Sequence, residues 1–330
     1  MSGERFLFIR LSSLGDIVHA IPAFAALRKR SPKASIRWLV EDKGKPVLDL
    51  VAGIDEIIVR GSPDWRTRLR GRDQIALDFQ GLLKSAFLSR LSGARRRYGF
   101  ARPNLREKAA ALFYTRRLAP VPEDDHVIRK NLKLLELVGI ETEEVEFPII
   151  LPDGARKAVL AKIATQGADP GRKLIVFNVG AAWATKRWPV ESWIELLTEL
   201  RNDPISPLLL WGTAGEKFSA EAIAAGTGAP VAPFLDVPEI FALLKSAVLV
   251  VSGDTFALQA ACALDVPVVG IFGPTLPGRN GPFRVRDKMA YHEISCSRCY
   301  RRSCDSMDCL KLVRPDEVAA LIRSSLAGHD

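Results

Sequence analysis

No apolar run in this sequence reaches the ~20 residues needed to cross a bilayer, and no basic segment followed by a hydrophobic signal core opens it. A cytoplasmic location is the expectation. Low-complexity tracts and repeats of solenoid period are also missing, which excludes extended repeat architectures. No Gly-x-Gly-x-x-Gly fingerprint follows the first apolar stretch, Phe6–Ile9, and this argues against a conventional dinucleotide site. Acidic residues are scarce in one half only. Residues 1–150 carry 27 Lys+Arg against 19 Asp+Glu, a balance of +8, whereas residues 151–330 carry 20 against 19, a balance of +1. A basic field of that kind draws in anionic lipid headgroups, a phosphorylated glycolipid or nucleic acid, or is simply a solvated arginine-rich surface. Nucleic acid is disfavoured, since the basic region has no recognised motif and no regular aromatic interleaving.

What is present is an ordinary globular composition, 48% hydrophobic and 26% charged over 330 residues, long enough for two domains. Strands are predicted at 5–10, 35–40, 56–60 and 75–79, alternating with helices near 17–30, 82–92, 104–114 and 126–138. Prolines, glycines and acidic residues over 141–172 mark a connection with a helix at 155–166. The alternation then resumes with strands at 174–179, 207–211, 248–252 and 266–272, helices at 190–201, 215–226, 237–246 and 255–264, and a closing helix around Val318, Leu321, Ile322 and Leu326. Such alternation builds parallel sheets covered on both faces. The expected fold is α/β, with two Rossmann-like doubly wound domains, 1–155 and 156–330, facing a cleft beyond the carboxyl ends of their strands.

Several turns carry candidate chemistry. Ser12-Ser13-Leu14-Gly15-Asp16-Ile17-Val18-His19 follows the first strand and places Asp16 at a strand-to-helix turn, either as a catalytic carboxylate or as a helix cap. His19 is expected to pack against this loop. Lys186, in a loop with two indoles, is a partner for phosphate or an exposed lysine. The Gly212–Glu216 turn offers Glu216 to a ribose diol or to the next helix as a cap. Ser252-Gly253-Asp254-Thr255 opens a helix whose N–H groups and Thr255 hydroxyl suit a diphosphate. Cys296, Cys299, Cys304 and Cys309 form C-x2-C-x4-C-x4-C, read as a structural zinc or iron site or as free thiols. Cys262 reads as a core residue.

The series Ser12–His19, Asp78-Phe-Gln-Gly81-Leu-Leu-Lys84-Ser85, Lys186-Arg187-Trp188-Pro189, Ser252–Thr255 and Phe272-Gly-Pro-Thr275 resembles, in order and over nearly the whole chain, the ADP-heptose:lipopolysaccharide heptosyltransferases, glycosyltransferase family 9. The resemblance implies a GT-B architecture and an inverting, metal-independent transfer from an ADP-sugar to a lipopolysaccharide-type lipid-linked acceptor. Asp16 would be general base, Ser12, Ser13 and Gly15 would line the loop around the donor phosphates, and Lys186 would stabilise the departing diphosphate with help from Thr255. Glu216 would face the nucleoside and Asp254 would orient the donor sugar. The partners implied are a nucleotide-sugar donor, an anionic acceptor and the inner face of the cytoplasmic membrane, met by the basic first domain. The chain departs from the pattern at Phe256, where glycine is usual, at Gln259, where histidine is usual, and at Ala181-Ala182, which lack hydroxyls. Those departures leave open a different nucleotide-sugar donor or a binding homologue without turnover.

Overall fold

The computed structural model describes residues 3–71, 73–169, 171–284 and 286–328. The chain divides into two compact units, Met1–Ile150 and Leu151–Asp330.

In the first unit six strands, β1 (Arg5–Ile9), β2 (Ser35–Glu41), β3 (Glu56–Arg60), β4 (Ile75–Asp78), β5 (Arg96–Gly99) and β6 (Arg116–Arg117), form one sheet in the order β3-β2-β1-β4-β5-β6. Every pairing is parallel. The central strands β1 and β4 are apolar and almost wholly buried, as a sheet covered on both faces requires. On one side the helix Leu14–Arg30 packs its apolar stripe down, and Phe8 stacks on Phe79 at 4.7 Å and meets Phe24 edge-on at 6.0 Å.

The second unit repeats the plan with β7 (Lys173–Asn178), β8 (Ile205–Leu210), β9 (Leu249–Gly253), β10 (Val268–Ile271) and β11 (Lys288–Ala290), ordered β11-β10-β9-β7-β8 and again all parallel. Its core is built on Phe177, Trp188 and Trp193, with the two indoles edge-on at 5.0 Å. The closing helix, Pro315–Ala327, buries Val318 and Ile322 in that core.

Each sheet reverses its winding at one place, between β1 and β4 in the first unit and between β7 and β9 in the second. Just outside the carboxyl ends of such strand pairs lies the crevice where doubly wound sheets bind ligands. The Asp16 loop leaves β1, the Asp78 segment leaves β4, Asn178 ends β7, and Ser252-Gly253-Asp254 ends β9.

Two local expectations differ from the structure. The predicted helix over 104–114 is two short 3-10 turns, Arg102–Asn104 and Lys108–Phe113. Pro103 stiffens the first, and Glu107 turns its carboxylate to the Leu83 amide (2.7 Å) instead of continuing a helix. The first long helix begins at Leu14 rather than at or after Asp16, with Ser13 as its N-cap. Among the described residues no helix is long and apolar enough to cross a membrane.

Candidate functional site

In the first unit the site is assembled from the ends of β1 and β4. Asp16 lies in the first turn of its helix, where its Oδ2 accepts from the Ser13 backbone N–H (3.2 Å) and Oγ (2.8 Å), closing a capping box. Its other oxygen, Oδ1, is paired with Arg10 Nη2 at 2.7 Å, and its side chain keeps 35% of its exposure. Capping and accessibility therefore coexist in one carboxylate. Desolvation pushes the Asp16 carboxyl up, but the Arg10 guanidinium, His19 and the Ser13 hydrogen bonds outweigh it and hold the group at about 2.

Arg10 is fixed in turn, donating from Nη1 to the Phe79 carbonyl at 2.6 Å, and the Leu11 amide donates to Gln80 Oε1 at 2.8 Å. Phe79 and Gln80 are held by Asp78, which is fully buried. Its Oδ1 accepts from the Gln80 and Gly81 amides (2.9 and 3.2 Å), its Oδ2 from Ser85 Oγ (2.8 Å) and Tyr114 Oη (2.7 Å). Burial raises the Asp78 carboxyl above its ordinary range against the pull of these bonds, and burial also raises the Tyr114 phenol. Gly99 permits the arrangement, since any Cβ there would run into the Tyr114 ring. His19 is buried, 5.7 Å edge-on from His126, and belongs to the packing behind the loop as expected. Ser12 and Gly15 are half-buried and Ser13 exposed along the loop.

In the second unit, Lys186 Nζ bonds Asp254 Oδ2 at 2.6 Å and lies 4.3 Å from the centre of the Trp183 ring, which also carries Arg302 at 5.1 Å. Both members of the pair are mostly buried. A Cβ on Gly253 would stand 3.0 Å from the Lys186 carbonyl, so the Lys186 loop lies directly on the end of β9. Asn178 Nδ2 donates to Ser252 Oγ (3.0 Å), Thr255 Oγ1 (3.2 Å) and the Gly180 carbonyl (3.1 Å), and the two hydroxyls are 2.8 Å apart. This network ties the ends of β7 and β9 together. Glu216 is the N3 residue of a capping box. Its Oε2 accepts from the Gly212 and Thr213 amides (2.9 and 3.0 Å), and its side chain fills the space that the missing Cβ of Gly180 leaves free.

The two departures at the start of the helix Phe256–Ala263 have physical partners. The Phe256 ring packs on Phe241 at 5.7 Å, and Gln259 Nε2 donates to the Asn280 carbonyl at 2.6 Å. Sequence reasoning missed Arg10, Asn178 and Gln80. The available signal was a polar residue at or just past the end of an apolar strand, in the runs Phe6-Leu7-Phe8-Ile9-Arg10 and Leu174-Ile175-Val176-Phe177-Asn178.

The cysteine run, read as a structural metal site or as free thiols, forms no assembled metal position: among the described residues no group of three or more Cys, His, Asp or Glu could hold an ion. Cys296, Cys299 and Cys304 are exposed, whereas Cys309 sits in the turn Asp308–Lys311, close against Gly273. The Cys304 thiol accepts from the Met307 amide at 3.4 Å. The Cys309 thiol is pushed up, by burial first and then by the neighbouring Cys296, Cys299 and Cys304. Cys262 is a buried core residue, as read.

Comparison with known proteins agrees with this geometry. Lipopolysaccharide heptosyltransferase 1 of Pseudomonas aeruginosa (strain PAO1) is 31% identical over 318 residues, spanning 91% of this chain and 87% of the relative. E. coli heptosyltransferase WaaC, solved with ADP and with ADP-2-deoxy-2-fluoro heptose, superposes with TM-scores of 0.76 and 0.75 at 24% identity, covering 97% of this chain and 99% of that one. E. coli ADP-heptose lps heptosyltransferase II gives a TM-score of 0.80 at 18% identity, with 98% and 99% of the two chains covered. The sequence profile of glycosyltransferase family 9 (heptosyltransferase) matches residues 65–310. Two parallel α/β units of GT-B type, with the motif residues gathered at their switch points, together with these matches, place the chain in glycosyltransferase family 9, the heptosyltransferases, as an enzyme of glycosyl transfer.

Proposed function

We propose that this protein is an inverting heptosyltransferase that moves heptose from an ADP-heptose donor to a lipopolysaccharide-type lipid-linked acceptor. Asp16 carries the reading, as an accessible, ionised carboxylate at the switch point of the first sheet, held in one orientation by Arg10 and Ser13. The acceptor hydroxyl attacks the anomeric carbon from the face opposite ADP. As that C–O bond forms, the hydroxyl proton passes to Asp16, the bond from the anomeric carbon to the β-phosphate oxygen breaks, and its electron pair leaves on ADP. A base as weak as Asp16 acts late in such a step, once the hydroxyl oxygen has gained positive charge from bond formation.

Lys186 meets the charge that grows on the departing diphosphate, with the backbone N–H groups and hydroxyl at Thr255 beside it. Asp254 keeps the ammonium in place and orients the donor sugar. Ser12, Ser13 and Gly15 line the loop around the donor phosphates, and the Gly212–Thr213 turn, framed by Glu216, receives the nucleoside. The step uses no metal ion, so chelators leave turnover unchanged. The first unit, with its +8 balance, meets the anionic acceptor at the inner face of the cytoplasmic membrane.

Asp16→Asn keeps the capping oxygen and removes the base. Turnover should fall about 10²–10⁴-fold, while ADP binding, read by thermal shift, stays within a factor of two or so of wild type. Wild-type turnover in this variant overturns the assignment.

Phe256 and Gln259 favour one second reading. Ring bulk replaces backbone access at the start of the Phe256–Ala263 helix, and the Gln259 amide is engaged with Asn280. A donor sugar other than heptose then fits the pocket. A panel of nucleotide sugars assayed by product mass separates the two readings.

A further inference from the structure

The segment 83–118 carries ten Lys and Arg and one acidic residue, Glu107. That one carboxylate, itself exposed, is engaged by the Leu83 amide at 2.7 Å. On the same segment stand three large apolar side chains that the fold leaves in water: Leu83 (42% exposed), Phe87 (52%) and Leu112 (84%). Leu83 and Phe87 are one turn apart on the outer face of the helix Leu83–Leu91, and the Phe87 ring meets Phe113 edge-on at 6.1 Å. Leu112 and Phe113 end the 3-10 turn Lys108–Phe113. The exposed residues therefore form one apolar knob rather than scattered singles.

The knob stands on a firm base. Beneath it Ala86, Leu105, Ala110, Ala111 and Tyr114 form their own buried cluster, with Phe113 packed against it. Arg97 clamps the edge, donating from Nε to the Phe113 carbonyl at 2.8 Å. Around the knob the exposed cations Arg90, Arg102, Arg106, Lys108 and Arg116 point to solvent. An apolar centre with a predominantly cationic rim is complementary to the surface of an anionic bilayer, which takes the rings at the headgroup boundary and pairs the rim with lipid phosphates. A nucleic acid would use the rim and leave the knob in water. A protein partner would need acidic residues around an apolar socket, and nothing in this chain points to one.

We propose that Leu83, Phe87, Leu112 and Phe113 insert into an anionic membrane and that the surrounding arginines fix the first unit on its surface. This rests on the reading that the acceptor is lipid-linked and says where the enzyme meets that lipid. The placement suits the chemistry. Leu83 follows Gly81, whose amide Asp78 holds, and Tyr114 binds Asp78 from the other end of the segment. The knob is thus built into the bracket that supports the Asp16 loop, and seating it brings Asp16 to the plane where an acceptor sugar emerges.

The test uses the full chain and two vesicle preparations free of acceptor, one of phosphatidylcholine alone and one of phosphatidylcholine with phosphatidylglycerol in equal parts. Co-flotation is expected with the anionic vesicles only. Phe87→Ser with Leu112→Ser should weaken that binding about tenfold or more, as should Arg102→Glu with Arg106→Glu. These side chains are exposed, so melting temperatures should stay at the wild-type value. Transfer to a delipidated, water-soluble acceptor should be unchanged in the serine pair and reduced on acceptor embedded in anionic vesicles. No flotation of the wild type overturns the proposal, as does full binding by the serine pair, which would leave a purely electrostatic contact of the kind nucleic acid makes. Equal loss on soluble and embedded acceptor overturns it too, by making the knob part of sugar recognition. Because the vesicles carry no acceptor, docking is measured independently of the heptosyl-transfer reading, which fails only in the soluble-acceptor assay.

Discussion

At the first crevice a single carboxylate faces solvent, gripped by one arginine that the backbone of β4 holds in place. The second crevice holds a lysine and an aspartate already bonded to each other, beside hydroxyls that satisfy one another. Both sit at switch points of parallel sheets, so topology does not explain the difference. The proposed mechanism does: a proton acceptor has to be reached, whereas a cation that is to meet a diphosphate has to be held in place beforehand. On that proposal, Asp254 holds the Lys186 ammonium where the donor phosphates would meet it, so little reorganisation is needed as the leaving group charges up.

The sharpest way to break this comparison is to separate the two jobs of the Lys186–Asp254 pair. Lys186→Ala should lower turnover about 10²–10³-fold, and it also leaves a mostly buried carboxylate without its counter-ion, so the melting temperature should drop. Adding Asp254→Asn to that variant should recover the melting temperature and leave turnover low. If turnover returns with stability, the lysine is a structural partner and the contrast between the crevices disappears.

A smaller effect probes how the second turn is built. Gly180→Ala forces a Cβ into the Glu216 side chain, and relief means moving the capping carboxylate off the Gly212 and Thr213 amides. The cost is about 1–3 kcal/mol, read as a lower melting temperature. Gly215→Ala in the same turn has nothing within 4 Å of the new Cβ and lies inside the helix Ala214–Thr227, where alanine is favoured by about 1 kcal/mol. It should be neutral or stabilising, and an equal loss in both variants would show that Glu216 does not organise the turn.

Much of this was legible in the sequence because apolar runs and turn residues report directly on buried parallel strands. The runs Phe6–Ile9, Ile75–Leu77, Leu174–Phe177 and Leu249–Val251 located all four strands that flank the switch points, and Asp16, Lys186 and Asp254 followed from the turns and loops after such runs. The strand Arg96–Gly99 and its edge neighbour Arg116–Arg117 were not legible, since short strands rich in arginine have no apolar alternation to reveal them. Their pairing is fixed from a distance, by Tyr114 reaching Asp78 over the bare Gly99. Spacing alone likewise left the cysteine run open between a metal site and free thiols.

The smallest and most diagnostic effect concerns Arg10, which sequence reading passed over. Its guanidinium opposes the desolvation that pushes Asp16 up, and the net result is a carboxyl at about 2. In the wild type, therefore, Asp16 stays ionised down to that pH and sets no acid limb in the neutral range. Arg10→Met removes the charge and leaves the desolvation, so the Asp16 carboxyl rises and the acid limb of kcat/KM moves upward, while the rate near neutrality changes less. A stronger base partly offsets the lost orientation. Stability has a matching sign: a carboxyl lowered in the folded state contributes stability present above the ordinary value of 3.8 and lost as pH falls toward 2. The stability gap between wild type and Arg10→Met should accordingly close over that window. Superimposable pH–rate profiles would mean that Arg10 only braces the loop through Phe79. The first crevice would then hold a fixed carboxylate whose basicity is set elsewhere, and the contrast with the paired lysine of the second would rest on access alone.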